Sequence, residues 1–283
     1  MRFILIALLS LIILNCSVKR EVETSFFVAG HSYGNPKHRG TVKGLYKPFV
    51  DKFDFINEQE NMKFGVLLGD VVWAPNVWPE AKLDIAKLTM PIHIARGNHD
   101  GPLKRFEKDF GKSYKKFVEK DNLYIILDPN IDHWNISNKQ LDFLKNTLKE
   151  KPENIKNIFV FSHQLLWWNK GDFSKPKPNS LAKRDEETNF WTIVEPLLKN
   201  QEIPVYLYAG DVGAFSKEKR KRDHIIEYYY HKYDNITFIA TGMGGGVRDN
   251  FVITDVFNDG TVEFRLIHLN GDNIHSLGKL EDY

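Results

Sequence analysis

Apolar residues along this chain gather into short unbroken runs, and several of the runs stop at a residue able to bind a metal or move a proton. Lys63 to Leu68 runs into Gly69-Asp70, and Pro91 to Ala95 into Arg96-Gly97-Asn98-His99-Asp100. Asn157 to Ser162 ends at His163, and Pro204 to Ala209 at Gly210-Asp211. Runs of this length without helical spacing predict buried strands. Ser25 to Ala29, Leu123 to Leu127, Thr237 to Thr241, and Phe251 to Val256 with Val262 to His268 read the same way. The last two flank Asn258-Asp259-Gly260, a hairpin signal.

Between the strands the spacing changes. Leu45, Phe49, Phe53 and Ile56 recur at helical intervals, and Glu80 to Leu88 also reads as helix. Ser137 is positioned to cap a helix running to Leu148, and Glu187 to Lys199 would bury Trp191, Val194, Leu197 and Leu198. Residues 102–117 mix lysine and phenylalanine without a period. Strands alternating with helices predict an α/β fold, and in such folds sites gather at the carboxyl ends of strands. An amide oxygen can bind a hard cation, and an imidazole can carry a proton.

These residues resemble the calcineurin-like metallophosphoesterase superfamily. Gly69-Asp70, Gly97-Asn98-His99-Asp100 and His163 match its motifs in order and rough spacing over about Ser25 to Leu269. The resemblance implies a sandwich of two central mixed β-sheets flanked by helices. It also implies hydrolysis of a phosphoester or related bond by water activated on a metal.

Two motifs depart from the family pattern. Aligned on the glycines of Gly30-His31-Ser32-Tyr33-Gly34, His31 stands where the family has Asp and Tyr33 where it has His. A register slipped by two would put Ala29 and His31 there. The last motif reads Gly210-Asp211-Val212-Gly213, with Asp and Gly in place of two histidines. In the family's two-metal site these changes remove the ligands exclusive to one ion. The other ion keeps Asp70, Asn98 and His163, with Asp211 as its fourth ligand.

The expectation is therefore one divalent transition metal, Mn, Fe or Zn, on Asp70, Asn98, His163 and Asp211. His99 would protonate the leaving oxygen, oriented by Asp100. His31, Tyr33 and Arg96 would contact the phosphoryl group, His31 and Tyr33 standing in for the missing charge by hydrogen-bonding it. The substrate would be a small-molecule or glycan phosphate. Two alternatives stay open: an inactive relative that binds an anionic glycan or phosphate group, and a hydrolase acting on surface carbohydrate. Trp73 and Trp78 would wall the cleft or pack as a lid, and Trp167 and Trp168 would stack on a ligand or fill the core.

Composition narrows the partners. The chain has 283 residues, 42% hydrophobic, with a formal net charge of +2. That is one domain's worth of core, and it gives no case for nucleic acid. The single cysteine, Cys16, rules out an internal disulfide and a cysteine-based zinc site. Residues 1–16 read as a signal: Arg2, then an apolar run from Phe3 to Leu14, too short to span a membrane. The run meets Cys16 as in a bacterial lipoprotein, which predicts a lipid anchor, a tether over 17–24, a phosphoesterase domain over 25–283 and a place in the periplasm or cell envelope. Lys217 to Arg222 is the one strong charge run: an anion trap for phosphate, a patch against lipid headgroups, or a solvated loop.

Overall fold

A computed structural model of the protein describes residues 19–34, 43–174, 176–213, 228–244, 249–269 and 277–279. The signal, Cys16 and the Lys217 to Arg222 run lie outside the described residues. No described helix is long and apolar enough to cross a membrane.

Two six-stranded mixed sheets pack face to face. The first contains β1 (Val22–Ala29), β2 (Met62–Leu67), β3 (Ile92–Ile94), β10 (Asn250–Phe257), β11 (Val262–His268) and β12 (Leu277–Lys279), in the order β12-β11-β10-β1-β2-β3. The second holds β4 (Lys115–Glu119), β5 (Asn122–Ile126), β6 (Asn157–Ser162), β7 (Val205–Ala209), β8 (Tyr228–Tyr233) and β9 (Ile236–Thr241), ordered β4-β5-β6-β7-β9-β8. The strands that carry the conspicuous end residues are parallel neighbours. Val28 pairs with Val66 on β1 and β2, and Phe161 with Tyr208 on β6 and β7. Helices cover the outer faces: α1 (Lys47–Val50), α2 (Phe53–Asn57), α3 (Trp78–Ile85) and α4 (Leu103–Phe110) lie on the first sheet, α5 (Asn138–Lys149) and α6 (Glu195–Lys199) on the second.

Both faces of each sheet are therefore buried, which is why the strands read as unbroken apolar runs rather than as alternation. In β1 the period of two is still present. Phe26 and Val28 point into the space between the sheets, while Phe27 and Ala29 point under the helices. The layer between the sheets is aromatic. Phe26 stacks on Phe64 with centroids 5.0 Å apart and meets Tyr124 and Phe159 edge-on at 5.6 and 5.1 Å. Contacts of this kind add about 0.5–1.5 kcal/mol per pair beyond area burial.

Three local expectations are corrected. The helix expected through Leu45, Phe49, Phe53 and Ile56 is broken into α1 and α2. At the break the Lys52 amide donates to Phe49 O, three residues back, and Lys52 takes ψ 0°. Phe49, Phe53 and Ile56 nevertheless share one buried face. Residues 102–117 contain α4 and the start of β4. Among the residues of α4 only Phe106 is fully buried, and β4 is an edge strand with no buried residue. Elements that bury so little leave little hydrophobic pattern to read. The stretch expected as one helix from Glu187 starts as a wide turn over Phe190–Val194, where the Val194 amide reaches back to Asn189 O.

Candidate metal and catalytic site

The carboxyl ends of β1, β2, β6 and β7 meet the turn after β3. Close backbone approach makes this possible. Gly69 (φ 77°) and Asp70 (φ 49°) are both left-handed, which turns the Asp70 carboxylate back over the strand ends. A Cβ on Gly97 would lie 2.1 Å from Asp70 N, so only glycine lets the two loops touch.

Asp70, His163 and Asp211 converge there, all buried, with one ligand atom from each within 4.8 Å of the others. His163 Nδ1 lies 2.8 Å from Leu68 O. A carbonyl only accepts, so Nδ1 carries hydrogen and Nε2 is the atom presented to the cluster. Nε2 stands 3.4 Å from Asp70 Oδ1, 3.9 Å from Asp211 Oδ1 and 3.2 Å from Asn98 Oδ1. Burial alone pushes the His163 imidazole down, but the Asp70 and Asp211 carboxylates and the bond to Leu68 together hold it above its ordinary value. Burial likewise pushes Asp70 up, and the surrounding histidines, His163 first, outweigh it and keep its carboxyl low. The pocket therefore attracts positive charge. One imidazole nitrogen, two carboxylates and an amide oxygen form a donor set that fits a divalent transition metal.

The two oxygens of Asp70 face different ways. Oδ1 belongs to the cluster and also accepts the His99 N–H at 3.0 Å. Oδ2 lies 3.7 Å from His31 Nε2, too far for a hydrogen bond. His31 (φ 54°) and Tyr33 are buried, and their rings touch with centroids 4.1 Å apart. Burial holds His31 at about 4 although Asp70 pulls it upward, with His163 and His99 pushing further down. His31 is thus neutral near pH 7. It therefore offers a hydrogen bond rather than a charge. Its Nδ1 finds no hydrogen-bond partner among the described residues.

Two further expectations are overturned. Asp100 was expected to orient His99, but its carboxylate is occupied elsewhere. Oδ1 accepts from Val71 N at 2.8 Å and Val72 N at 3.2 Å, and Oδ2 from Gly97 N at 2.7 Å. Burial, then the nearby Asp70 charge, raises the Asp100 carboxyl to about 6. His99 instead bonds through Nδ1 to Trp73 O at 3.0 Å. Arg96 was expected to contact the phosphoryl group. It is buried, and all three of its nitrogens are engaged: Nε and Nη2 with Asp128 at 2.7 and 3.2 Å, Nη1 with Gly101 O at 3.1 Å. A guanidinium desolvated against a carboxylate in this way braces the loop rather than meeting a ligand.

Of the tryptophans, Trp78 and Trp167 are packed in the interior. Trp78 also donates to Asp100 O at 3.0 Å. Trp73 is half-buried against His99, and Trp168 is half-buried beneath the Arg184 guanidinium, 5.2 Å from its ring. Sequence reasoning missed Asp128, Asn130 and Gln164. The Gln164 amide donates to Asn130 Oδ1 at 2.6 Å, and Asn130 donates to Arg96 O at 2.7 Å. A signal for Asp128 was present, because it ends the Leu123 to Leu127 run as Asp70 and Asp211 end theirs.

The sequence matches the family model for calcineurin-like phosphoesterase over residues 31–214. A search of curated proteins finds no match. Among solved structures, a purple acid phosphatase from yellow lupin seeds superposes with a TM-score of 0.60 at 12% identity. The alignment covers 90% of this chain and 53% of that one, so the chain spans about half the length of that relative. A phosphopantetheinyl hydrolase from Mycobacterium tuberculosis aligns at 8% identity over 79% of this chain and 90% of its own. Its TM-score of 0.40 is too low to carry an argument. The lupin enzyme shares the fold, two mixed sheets flanked by helices, and the family match spans most of the strand ends that build the cluster. The chain belongs to the calcineurin-like phosphoesterase family.

Proposed function

We propose that the protein hydrolyses a phosphoester of a small molecule or glycan with a single divalent cation held by Asp70, Asn98, His163 and Asp211. The observation that carries this reading is the convergence of the Asp70, His163 and Asp211 ligand atoms within 4.8 Å. A cation bound there supplies Lewis-acid polarisation of the phosphoryl oxygen and makes water acidic enough to attack near neutral pH.

The remaining work falls to the chain. The bond from His163 Nδ1 to Leu68 O fixes which ring nitrogen faces the cluster. His99, with Nδ1 on the Trp73 carbonyl, carries its exchangeable proton at Nε2 and delivers it to the leaving oxygen. His31, whose Nε2 lies 3.7 Å from Asp70 Oδ2, would hydrogen-bond a phosphoryl oxygen beside Asp70. The single-ion reading is supported by His31 on the Oδ2 side of Asp70 with Tyr33 against it, at the motif positions where the family pattern has other ligands. Elemental analysis of protein loaded with excess Mn²⁺ and desalted should find about one ion per chain, by the ligand-set argument. Two tightly held ions would show that His31 and Tyr33 rebuild a second site. No turnover of an aryl phosphate by the loaded protein would leave the anion-binding alternative standing.

We also propose that Cys16 is lipidated and holds the protein on the outer face of a membrane, in the periplasm or cell envelope. The apolar run before it motivates this. Cys16→Ala should move the protein from the membrane fraction to the soluble one, and an unmodified protein already soluble would end the idea.

A further inference from the structure

Trp73 gives His99 the kind of Nδ1 partner that a carboxylate gives the histidine of a catalytic triad. Its carbonyl is 3.0 Å from His99 Nδ1, and its ring packs on the imidazole at 4.8 Å with the planes 36° apart. Tyr33 closes the cluster edge-on to both, 5.5 Å from His99 and 6.0 Å from Trp73. The carbonyl is itself held in place. Val71 and Val72, immediately before Trp73, donate their amides to Asp100 Oδ1, and Asp100 Oδ2 accepts from Gly97 at the start of the turn that carries His99. Asp100 thus ties the two loops together without touching the imidazole.

We infer that Trp73 is the positioning residue for His99. The main-chain oxygen fixes the tautomer, the indole fixes the ring plane, and Asp100 sets the distance between them. A carbonyl accepts and never donates, so hydrogen stays on Nδ1 and the proton that can be exchanged is on Nε2. Replacing a carboxylate by a carbonyl supplies the same orientation without adding a further negative group to Asp70, Asp100 and Asp211. The inference rests on the reading of His99 as proton donor, and its experiment separates the two.

The first measurement needs no turnover. In ¹⁵N-edited spectra of side-chain imidazoles at about pH 9, where an ordinary imidazole is neutral, the His99 signal, assigned by its loss in His99→Ala, should show hydrogen on Nδ1. Trp73→Phe and Trp73→Ala both leave the main-chain oxygen in place and should keep that signature, while in Trp73→Ala the His99 ring signals should broaden and shift toward those of an unrestrained imidazole. Hydrogen on Nε2 in the unaltered protein, or His99 ring signals in Trp73→Ala identical to those of the unaltered protein, overturns the inference whatever the activity. The second measurement is kinetic. Trp73→Ala should lower kcat about 10-fold for an alkyl phosphate and far less for 4-nitrophenyl phosphate, a fraction of the worth of a positioned acid. It should cost nothing further in His99→Ala, and equal losses in both backgrounds would overturn the inference. An unaltered protein that shows the Nδ1 signature but turns over neither ester would retain Trp73 as the brace and remove the catalytic role of His99.

Discussion

Asp70→Ala should leave the protein without its metal and without turnover. Asp70 contributes Oδ1 to the cluster and also receives the His99 amide, so its loss removes one of the two buried carboxylates and loosens the neighbouring turn. Alanine at this position carries a second burden, because Asp70 is left-handed at φ 49°. That conformation costs about 1–2 kcal/mol for most residues, and Asp and Asn visit it more readily. Asp70→Asn is therefore the matched control: it keeps the backbone preference and the shape, and removes only the charge. Metal binding to the unaltered protein should raise its melting temperature, by about 2.7 kcal/mol of stability at a hundredfold excess over Kd. Both variants should show no metal-dependent rise, with elemental analysis falling from about one ion per chain to almost none. An Asp70→Ala protein that still holds a stoichiometric ion would remove Asp70 from the ligand set.

His99→Ala should do the opposite with respect to the metal. Its ring is not part of the ligand cluster, and its amide bond to Asp70 Oδ1 survives the substitution. The ion should stay bound, while turnover falls about 10²- to 10⁴-fold, the usual worth of a positioned acid. The loss should shrink as the leaving group becomes a better one, since a stable phenolate needs little protonation. Assays across a series of phosphate esters, on folded and metal-loaded protein, measure that slope. A flat dependence would mean that the imidazole only braces the loop through Trp73 O.

What could be read from the sequence divides along a physical line. Strands buried on both faces announce themselves, because every position is apolar, and their polar end residues stand out against that background. Asp70, His163 and Asp211 were found in this way, and the structure brings all three together. Edge elements such as β4 and β8 bury little, so nothing in their pattern separates them from loops. Partnerships were harder still. Arg96 beside Gly97 looked like a ligand contact. Its commitment to Asp128, thirty-two residues away, is a matter of which loops share one end of the sandwich. The bond from His99 to Trp73 involves a backbone oxygen, which every residue has, so no side-chain pattern could have marked it.

The direction of β1 has a consequence for how the molecule meets its surroundings. The chain enters the domain at Val22, with Arg20 resting on Thr261 and Glu263, and reaches the cluster only after Ala29, at the other end of the strand. Eight residues of strand put the entry point roughly 26 Å from the cleft. Anything attached ahead of Val22 is thus joined at the end of β1 opposite the one that leads to the cluster. A lipid at Cys16, as proposed above, would be attached on the side where β1 begins rather than on the side where it meets the cluster. The same geometry makes the amino-terminal side the place to immobilise the protein on a sensor or bead with the cluster end of β1 left free.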